Sequence, residues 1–148
     1  MSKAVIIYHT RSGNTKLLAE KIKRRLEILD FTVEIYQDIN FKKIDSVKSF
    51  DIIGLGSPTH YFQIAKEFKE FLKKISIINL KDKKLITFAT GTSKSSPPKI
   101  CNDITKLMKP SGIRMVAKIG CLKKPTDDMD FEIEQVISKK IFKKLIKK

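Results

Sequence analysis

The sequence contains little cysteine and histidine, and this scarcity excludes several kinds of site. Among 148 residues there are two of each: Cys101, Cys121, His9 and His60. Two cysteines are too few for the disulfide scaffold of a secreted protein, and their spacing from the histidines matches no metal site. No Ser-His-Asp signature is present either, so nucleophilic catalysis has little support. We therefore expect buried free thiols, no metal and no catalytic side chain, with any chemistry supplied by a bound cofactor.

Long apolar runs and linkers are absent as well. The lack of a long uncharged stretch argues against a membrane-spanning helix, and the chain begins with a strand-like segment instead of a secretion leader. No Pro/Gly/Ser-rich linker, repeat or low-complexity tract divides the sequence. We therefore expect a cytoplasmic protein in which residues 1–148 form a single domain, a length that allows a full hydrophobic core.

Acidic residues are about half as frequent as basic ones. There are 16 Asp and Glu against 31 Lys and Arg, which gives a formal net charge of +15. The positive electrostatic field of such a protein would favour binding to nucleic acid, an anionic membrane or an acidic protein partner. However, the lysines alternate with apolar residues at helical spacing, as on solvated helix faces. Since no nucleic-acid-binding module accompanies them, a generally lysine-rich surface is favoured over nucleic-acid binding.

Apolar β-rich segments alternate with amphipathic ones along the whole chain. Short apolar runs such as Ile52-Ile53-Gly54-Leu55 are typical of parallel strands buried on both faces. Right-handed crossovers then predict an α/β fold: a doubly wound five-stranded parallel sheet with helices on both faces. The predicted strands are Lys3–Tyr8, Thr32–Tyr36, Asp51–Gly56, Lys84–Ala89 and Arg114–Ile119. The predicted helices are Asn14–Leu29, Ala65–Lys74, Pro98–Met108 and Asp130–Lys147, with a looser segment at Phe41–Ser49. In the last helix, Ile137, Ile141 and Leu145 form an i, i+4 stripe that is expected to face the sheet.

A polar hexapeptide joins the first predicted strand to the first predicted helix. Its residues are Thr10, Arg11, Ser12, Gly13, Asn14 and Thr15. Their hydroxyl and amide groups, with backbone N–H groups at Gly13 and the helix start, can converge on one phosphate. Neither G-x-G-x-x-G nor G-x-x-x-x-G-K-[ST] is present, which favours a terminal phosphate over a pyrophosphate. The alternative is an ordinary turn with a helix N-cap.

Two more polar segments follow the third and fourth predicted strands. They contain Ser57, Pro58, Thr59, His60 and Tyr61 in the first, and Thr90, Gly91 and Thr92 in the second. Because ligands of doubly wound sheets bind outside the carboxyl ends of the strands, we expect all three segments to meet in one crevice. The alternatives are packing roles and flexible loops, and Phe62 is expected to fold back onto the core.

The first segment resembles the phosphate loop of the flavodoxin family, T-x-[ST]-G-N-T. The segment Gly54–Leu72 resembles that family's second flavin loop and the helix after it, so the resemblance covers nearly the whole chain in order and spacing. It implies that the three segments bind flavin mononucleotide (FMN). The first segment would hold the phosphate, Tyr61 would lie against the isoalloxazine ring, and backbone N–H groups of the third would face the pyrimidine edge.

Two departures from the family pattern affect the expected function. The third segment has no aromatic residue at positions 93–96, which leaves one ring face open, and the second has no glycine in its turn. The resemblance implies a cytoplasmic electron carrier with a redox protein partner, for which an acidic surface would suit this basic chain, or with a small-molecule acceptor. The alternative is an FMN-dependent oxidoreductase that reduces a quinone or oxidises a porphyrinogen-like substrate. The third hypothesis is a basic binding module that does not hold flavin.

Overall fold

Five parallel strands form the central sheet in a computed structural model, which describes residues 2–139 and 142. In chain order the strands are β1 (Lys3–Tyr8), β2 (Thr32–Gln37), β3 (Ile52–His60), the short β4 (Gln63–Ile64), β5 (Lys84–Gly91) and β6 (Arg114–Leu122). The spatial order is β2-β1-β3-β5-β6, and β4 pairs antiparallel with the end of β3. The predicted doubly wound parallel sheet is confirmed, and its order reverses direction at β1 and β3.

Helices cover both faces of this sheet. They are α1 (Asn14–Ile28), α2 (Lys66–Ser76), α3 (Ser96–Met108) and α4 (Asp128–Val136). In β1, Val5 and Ile7 pack with the core of α2 and α3, whereas Ala4 and Ile6 pack with that of α1 and α4. All four side chains are fully buried. Burial on both faces is the physical reason for the uninterrupted apolar runs in the strands.

Four strands extend past their predicted carboxyl ends, β2 by one residue and the other three by two or more. β3 continues to His60 instead of Gly56, because Ser57 and Pro58 pair with β5 and His60 pairs with Gln63 in β4. β5 and β6 likewise run on to Gly91 and Leu122, which face each other. A polar side chain does not by itself end a strand, because backbone hydrogen bonds hold the paired strands together. Residues 57–60, interpreted from the sequence as a loop, are therefore strand residues.

The helices also differ from the sequence prediction, α1 and α2 only by one or two residues at their ends. α3 begins at Ser96, two residues before Pro98, because prolines are compatible with a first helical turn. The helix predicted for Asp130–Lys147 is interrupted: α4 ends at Val136, and Ile137 leaves helical geometry with φ −106° and ψ 69°. The Ile137 carbonyl accepts a hydrogen bond from Arg25 Nε at 2.9 Å.

Two described residues at and after this break contact the core. Ile137 and Phe142 are buried in the cluster beneath α1 and α4, so Ile137 faces the sheet as predicted. Ile141 and Leu145 lie outside the described residues. The looser segment at Phe41–Ser49 contains a 3₁₀ helix, Ile44–Ser49.

Both cysteines are buried and form no disulfide, as predicted. Burial raises the pKa of the Cys101 and Cys121 thiols, which favours the protonated forms. None of the helices among the described residues is long and apolar enough to cross a bilayer.

Candidate functional site

An open cavity of about 350 Å³ lies at the carboxyl ends of the parallel strands. It is lined by Ser12, Asn14, Pro58, Thr59, Tyr61, Phe62, Thr90, Gly91, Thr92, Ser93, Ser96 and Lys123. All three polar segments singled out in the sequence contribute to this lining. The cavity therefore lies where ligands of doubly wound sheets bind.

The first segment forms a tight turn at the start of α1. Gly13 adopts the left-handed conformation (φ 93°, ψ −6°), and its N–H donates to Thr10 Oγ1 at 3.0 Å. No side chain caps the helix start, and its first turn has no acidic residue. Ser12 and Asn14 line the cavity beside these helix N–H groups. This arrangement offers hydroxyl, amide and backbone donors to an anion.

Thr15 and Thr90 connect the first segment to the third. Thr15 is buried, and its Oγ1 lies 2.9 Å from Thr90 Oγ1. Thr59 Oγ1 donates to the Thr90 carbonyl, also at 2.9 Å. Thr90 therefore holds the three segments together, and Thr15 contacts this partner instead of lining the cavity.

Ser57 and His60 also lie outside the cavity lining. Ser57 is fully buried; its hydroxyl donates to the Pro58 carbonyl at 2.7 Å and accepts from Ala65 N–H at 3.2 Å. It thus fixes the end of β3 to the start of α2. Partial burial, followed by the positive charge of Arg11, lowers the pKa of His60.

Tyr61 and Phe62 form the two-residue turn between β3 and β4. Both have positive φ, 48° and 62°, which is unusual for aromatic residues. Tyr61 is 94% exposed and Phe62 is 62% exposed, and both line the cavity. The expectation that Phe62 folds onto the core is therefore wrong. The antiparallel pairing of His60 with Gln63 closes this turn.

The third segment brings backbone and small side chains to the cavity. Gly91 has no room for a larger residue, since a Cβ there would lie 2.4 Å from Ser96 Oγ. Ser96 Oγ donates to the Ser93 carbonyl at 3.1 Å. The Ser93 hydroxyl is buried without a hydrogen-bond partner among the described residues. A buried hydroxyl in this state favours a polar ligand.

A series of contacts between ionisable side chains adjoins the first segment. His9 Nδ1 lies 2.9 Å from Asp38 Oδ2, and His9 Nε2 lies 3.7 Å from Glu67 Oε2. Arg11 Nη2 is 3.5 Å from Glu67 Oε1, and its half-exposed side chain does not line the cavity. A backbone hydrogen bond, supported by the charge of Arg11, lowers the pKa of Glu67. Arg11 thus lies next to a carboxylate, beside the turn at the start of α1.

Sequence reasoning missed four lining residues: Phe62, Ser93, Ser96 and Lys123. Lys123 follows β6, and its N–H donates to the Gly91 carbonyl at 2.7 Å. β6 is the fifth strand of the parallel sheet, and it ends at the same sheet edge as the other four. The rule that ligands bind outside the carboxyl ends of the strands would therefore have included Lys123. Within residues 2–139 and 142, no group of three or more His, Cys, Asp or Glu side chains could hold a metal ion.

A family model for the flavodoxin domain matches residues 5–127. The flavodoxin of Maridesulfovibrio salexigens is 27% identical over 96 residues, which cover 63% of this chain and 66% of that protein. The Aquifex aeolicus flavodoxin is 29% identical over 80 residues, which cover 51% and 40%. The chain thus spans less than two thirds of either curated relative. A flavodoxin structure from the domain Archaea superposes with a TM-score of 0.80 at 24% identity, covering 97% of this chain and 98% of that one.

Proposed function

This chain belongs to the flavodoxin family, and on that premise we propose that it binds FMN in the cavity at the strand ends and serves as an electron carrier. When bound, FMN supplies the redox chemistry, since a flavin accepts and donates electrons. The protein supplies binding, orientation and electrostatics. The observation that carries the proposal is that an uncapped helix start and an exposed aromatic side chain line one cavity.

The phosphate end of the cavity fits a dianion. Ser12 and Asn14 present a hydroxyl and an amide beside the N–H groups of the first turn of α1. Thr10 shapes the turn through its bond to the Gly13 N–H. Arg11 adds positive charge from outside the cavity. Hydrogen bonds to a charged phosphate are stronger than those between neutral groups, so this end is expected to dominate affinity.

The other end of the cavity fits an aromatic ring with a polar edge. Tyr61 provides an aromatic face, worth about 0.5–1.5 kcal/mol beyond the area it buries. Pro58 and Thr59 form the wall, and Thr15 and Ser57 hold the segments in place. His60 lies outside the lining. Gly91 and Thr92 bring the backbone close, and the unpartnered Ser93 hydroxyl gives the ring edge a hydrogen-bonding group. Such polar groups stabilise negative charge that develops on reduction.

The remaining parts of the proposal concern the domain organisation, the location and the partner of the protein. We propose a single flavodoxin-like domain over residues 1–148, located in the cytoplasm. Its partner is a redox protein, and the net charge of +15 favours one with an acidic surface. A small-molecule acceptor would be reached through the same open cavity. No described side chain is assigned a catalytic role.

A fluorescence titration tests the proposal, because flavin emission changes when the ring is bound. FMN added to the FMN-free protein is expected to bind at one equivalent per chain. Reduced anaerobically, the loaded protein should pass electrons to a second redox protein without sustained turnover of a nicotinamide and a quinone. Absence of FMN binding would refute the site, whereas rapid quinone turnover would assign an enzyme instead of a carrier.

A further inference from the structure

The Tyr61–Phe62 turn separates the cofactor cavity from a second cavity. Phe62 lines the first, and the next residue, Gln63, lines the second, which has a volume of about 410 Å³. Lys99 Nζ donates to the Phe62 carbonyl at 3.0 Å and also lines the second cavity. The turn beside the cofactor cavity is thus physically attached to α3.

The second cavity carries uncompensated positive charge. Its charged lining consists of Lys69, Lys99 and Lys106 against one acidic residue, Asp103. Lys99 Nζ pairs with Asp103 Oδ2 at 2.7 Å, which neutralises that carboxylate. Lys69 and Lys106 are exposed and form no ion pair with a described residue. This side of the turn therefore attracts negative charge.

An exposed aromatic side chain, Phe62, lies next to these lysines. Phe62 keeps 62% of its surface exposed at a positive φ that costs free energy for a residue other than glycine. The bond from Lys99 to its carbonyl holds it there. An aromatic residue with a charged rim is the usual composition of an energetically important interface site.

We propose that Phe62, Lys69, Lys99 and Lys106 form the docking surface for an acidic electron-transfer protein. This inference rests on the proposed function and adds where the partner binds and by which charge. Complementary charges steer the partner to the surface, and Phe62 packs against it next to the cofactor cavity. The surface lies on one side of the turn, so a docked partner meets the open end of the cavity.

The first test measures binding of poly-L-glutamate by calorimetry at moderate ionic strength, with or without FMN. The docking variant, Lys69→Gln/Lys99→Gln/Lys106→Gln, is compared with Lys48→Gln/Lys81→Gln/Lys109→Gln. The control lysines are exposed and precede strands β3, β5 and β6, at the opposite sheet edge. We expect roughly tenfold weaker binding for the docking variant at about 0.1 M salt and little change for the control, because a Debye length of about 10 Å screens charges at the opposite ends of the strands. Equal losses in both would overturn the docking surface.

The second test uses the reduced FMN-loaded protein with two equivalents of hexacyanoferrate(III), each of which takes one electron. The anionic oxidant should react more slowly as salt rises, and the docking variant should lose most of this dependence while the control keeps it. Cationic hexaamminecobalt(III) should show the opposite salt trend. Failure to bind FMN would refute the proposed function and with it electron transfer at this surface, whereas the poly-L-glutamate comparison, which needs no flavin, separately decides whether the surface binds an acidic partner. Duplex DNA that binds more tightly than poly-L-glutamate, and is released by the same docking variant, would overturn the acidic-protein assignment.

Discussion

Replacement of Gly13 by alanine isolates the contribution of backbone conformation to cofactor binding. Gly13 has φ 93° and ψ −6°, and a Cβ built on it would meet no atom within 4 Å. Gly13→Ala therefore introduces no steric clash. Its only cost is that a residue with a side chain must adopt the left-handed conformation. That conformation costs about 1–2 kcal/mol.

This cost should appear in FMN binding. Without ligand the turn is free to relax toward negative φ, so the FMN-free chain loses little stability, whereas binding requires the helix N–H groups and the Ser12 side chain at one anion. The strain is therefore assigned to binding, and about 1–2 kcal/mol corresponds to roughly five- to thirtyfold weaker affinity. A fluorescence titration measures this loss of affinity, and urea unfolding of the FMN-free protein checks that its stability changes less.

Gly112 offers a matched control. It also has positive φ (78°), and a Cβ there would lie 3.4 Å from Lys81 Cα, an ordinary contact. It precedes β6 at the sheet edge opposite the cavity. Gly112→Ala should lower stability by at most about 1–2 kcal/mol and leave FMN affinity within about twofold. Equal affinities for both alanine variants would refute the assignment of the Gly13 turn to the phosphate.

Three other substitutions have distinct expected outcomes. Tyr61→Ala should leave the unfolding free energy unchanged, since the side chain is 94% exposed, but should weaken FMN binding about two- to tenfold in a titration. Thr90→Val removes the hydroxyl partner of buried Thr15 and should cost about 1–3 kcal/mol of stability by urea unfolding. Partial burial and the charge of Arg11 lower the pKa of His60, so its NMR titration midpoint should lie below that of free histidine, and Arg11→Gln should raise it. The His60 contribution to stability is therefore present at neutral pH and lost as pH falls through the histidine range; an unshifted midpoint would contradict this.

Local patterns were sufficient for the first strand, the first helix and the turn between them. β1 has the predicted bounds, and α1 starts at the predicted residue and ends one residue early. These elements follow from apolar periodicity and from a glycine placed before a helix, which are short-range signals. The arrival of three polar segments at one sheet edge could also be predicted, because parallel topology requires it.

The contacts between those segments could not be predicted in the same way. The Thr15–Thr90 bond depends on the relative placement of residues 75 positions apart. The Tyr61–Phe62 turn contains neither glycine nor asparagine, so no local signal indicates positive φ at both residues. The break at Ile137 likewise depends on tertiary contacts, burial of its side chain and a bond from Arg25 to its carbonyl, that override a helical pattern.

The most direct test of the account compares FMN with riboflavin, which has the same ring system but no phosphate. If the turn from Thr10 to Thr15 and the start of α1 hold the phosphate, FMN should bind more tightly by about tenfold or more, since charge-assisted hydrogen bonds dominate that end of the cavity. Ser12→Ala should reduce this difference while leaving riboflavin affinity unchanged. Equal dissociation constants for the two flavins would contradict the central claim.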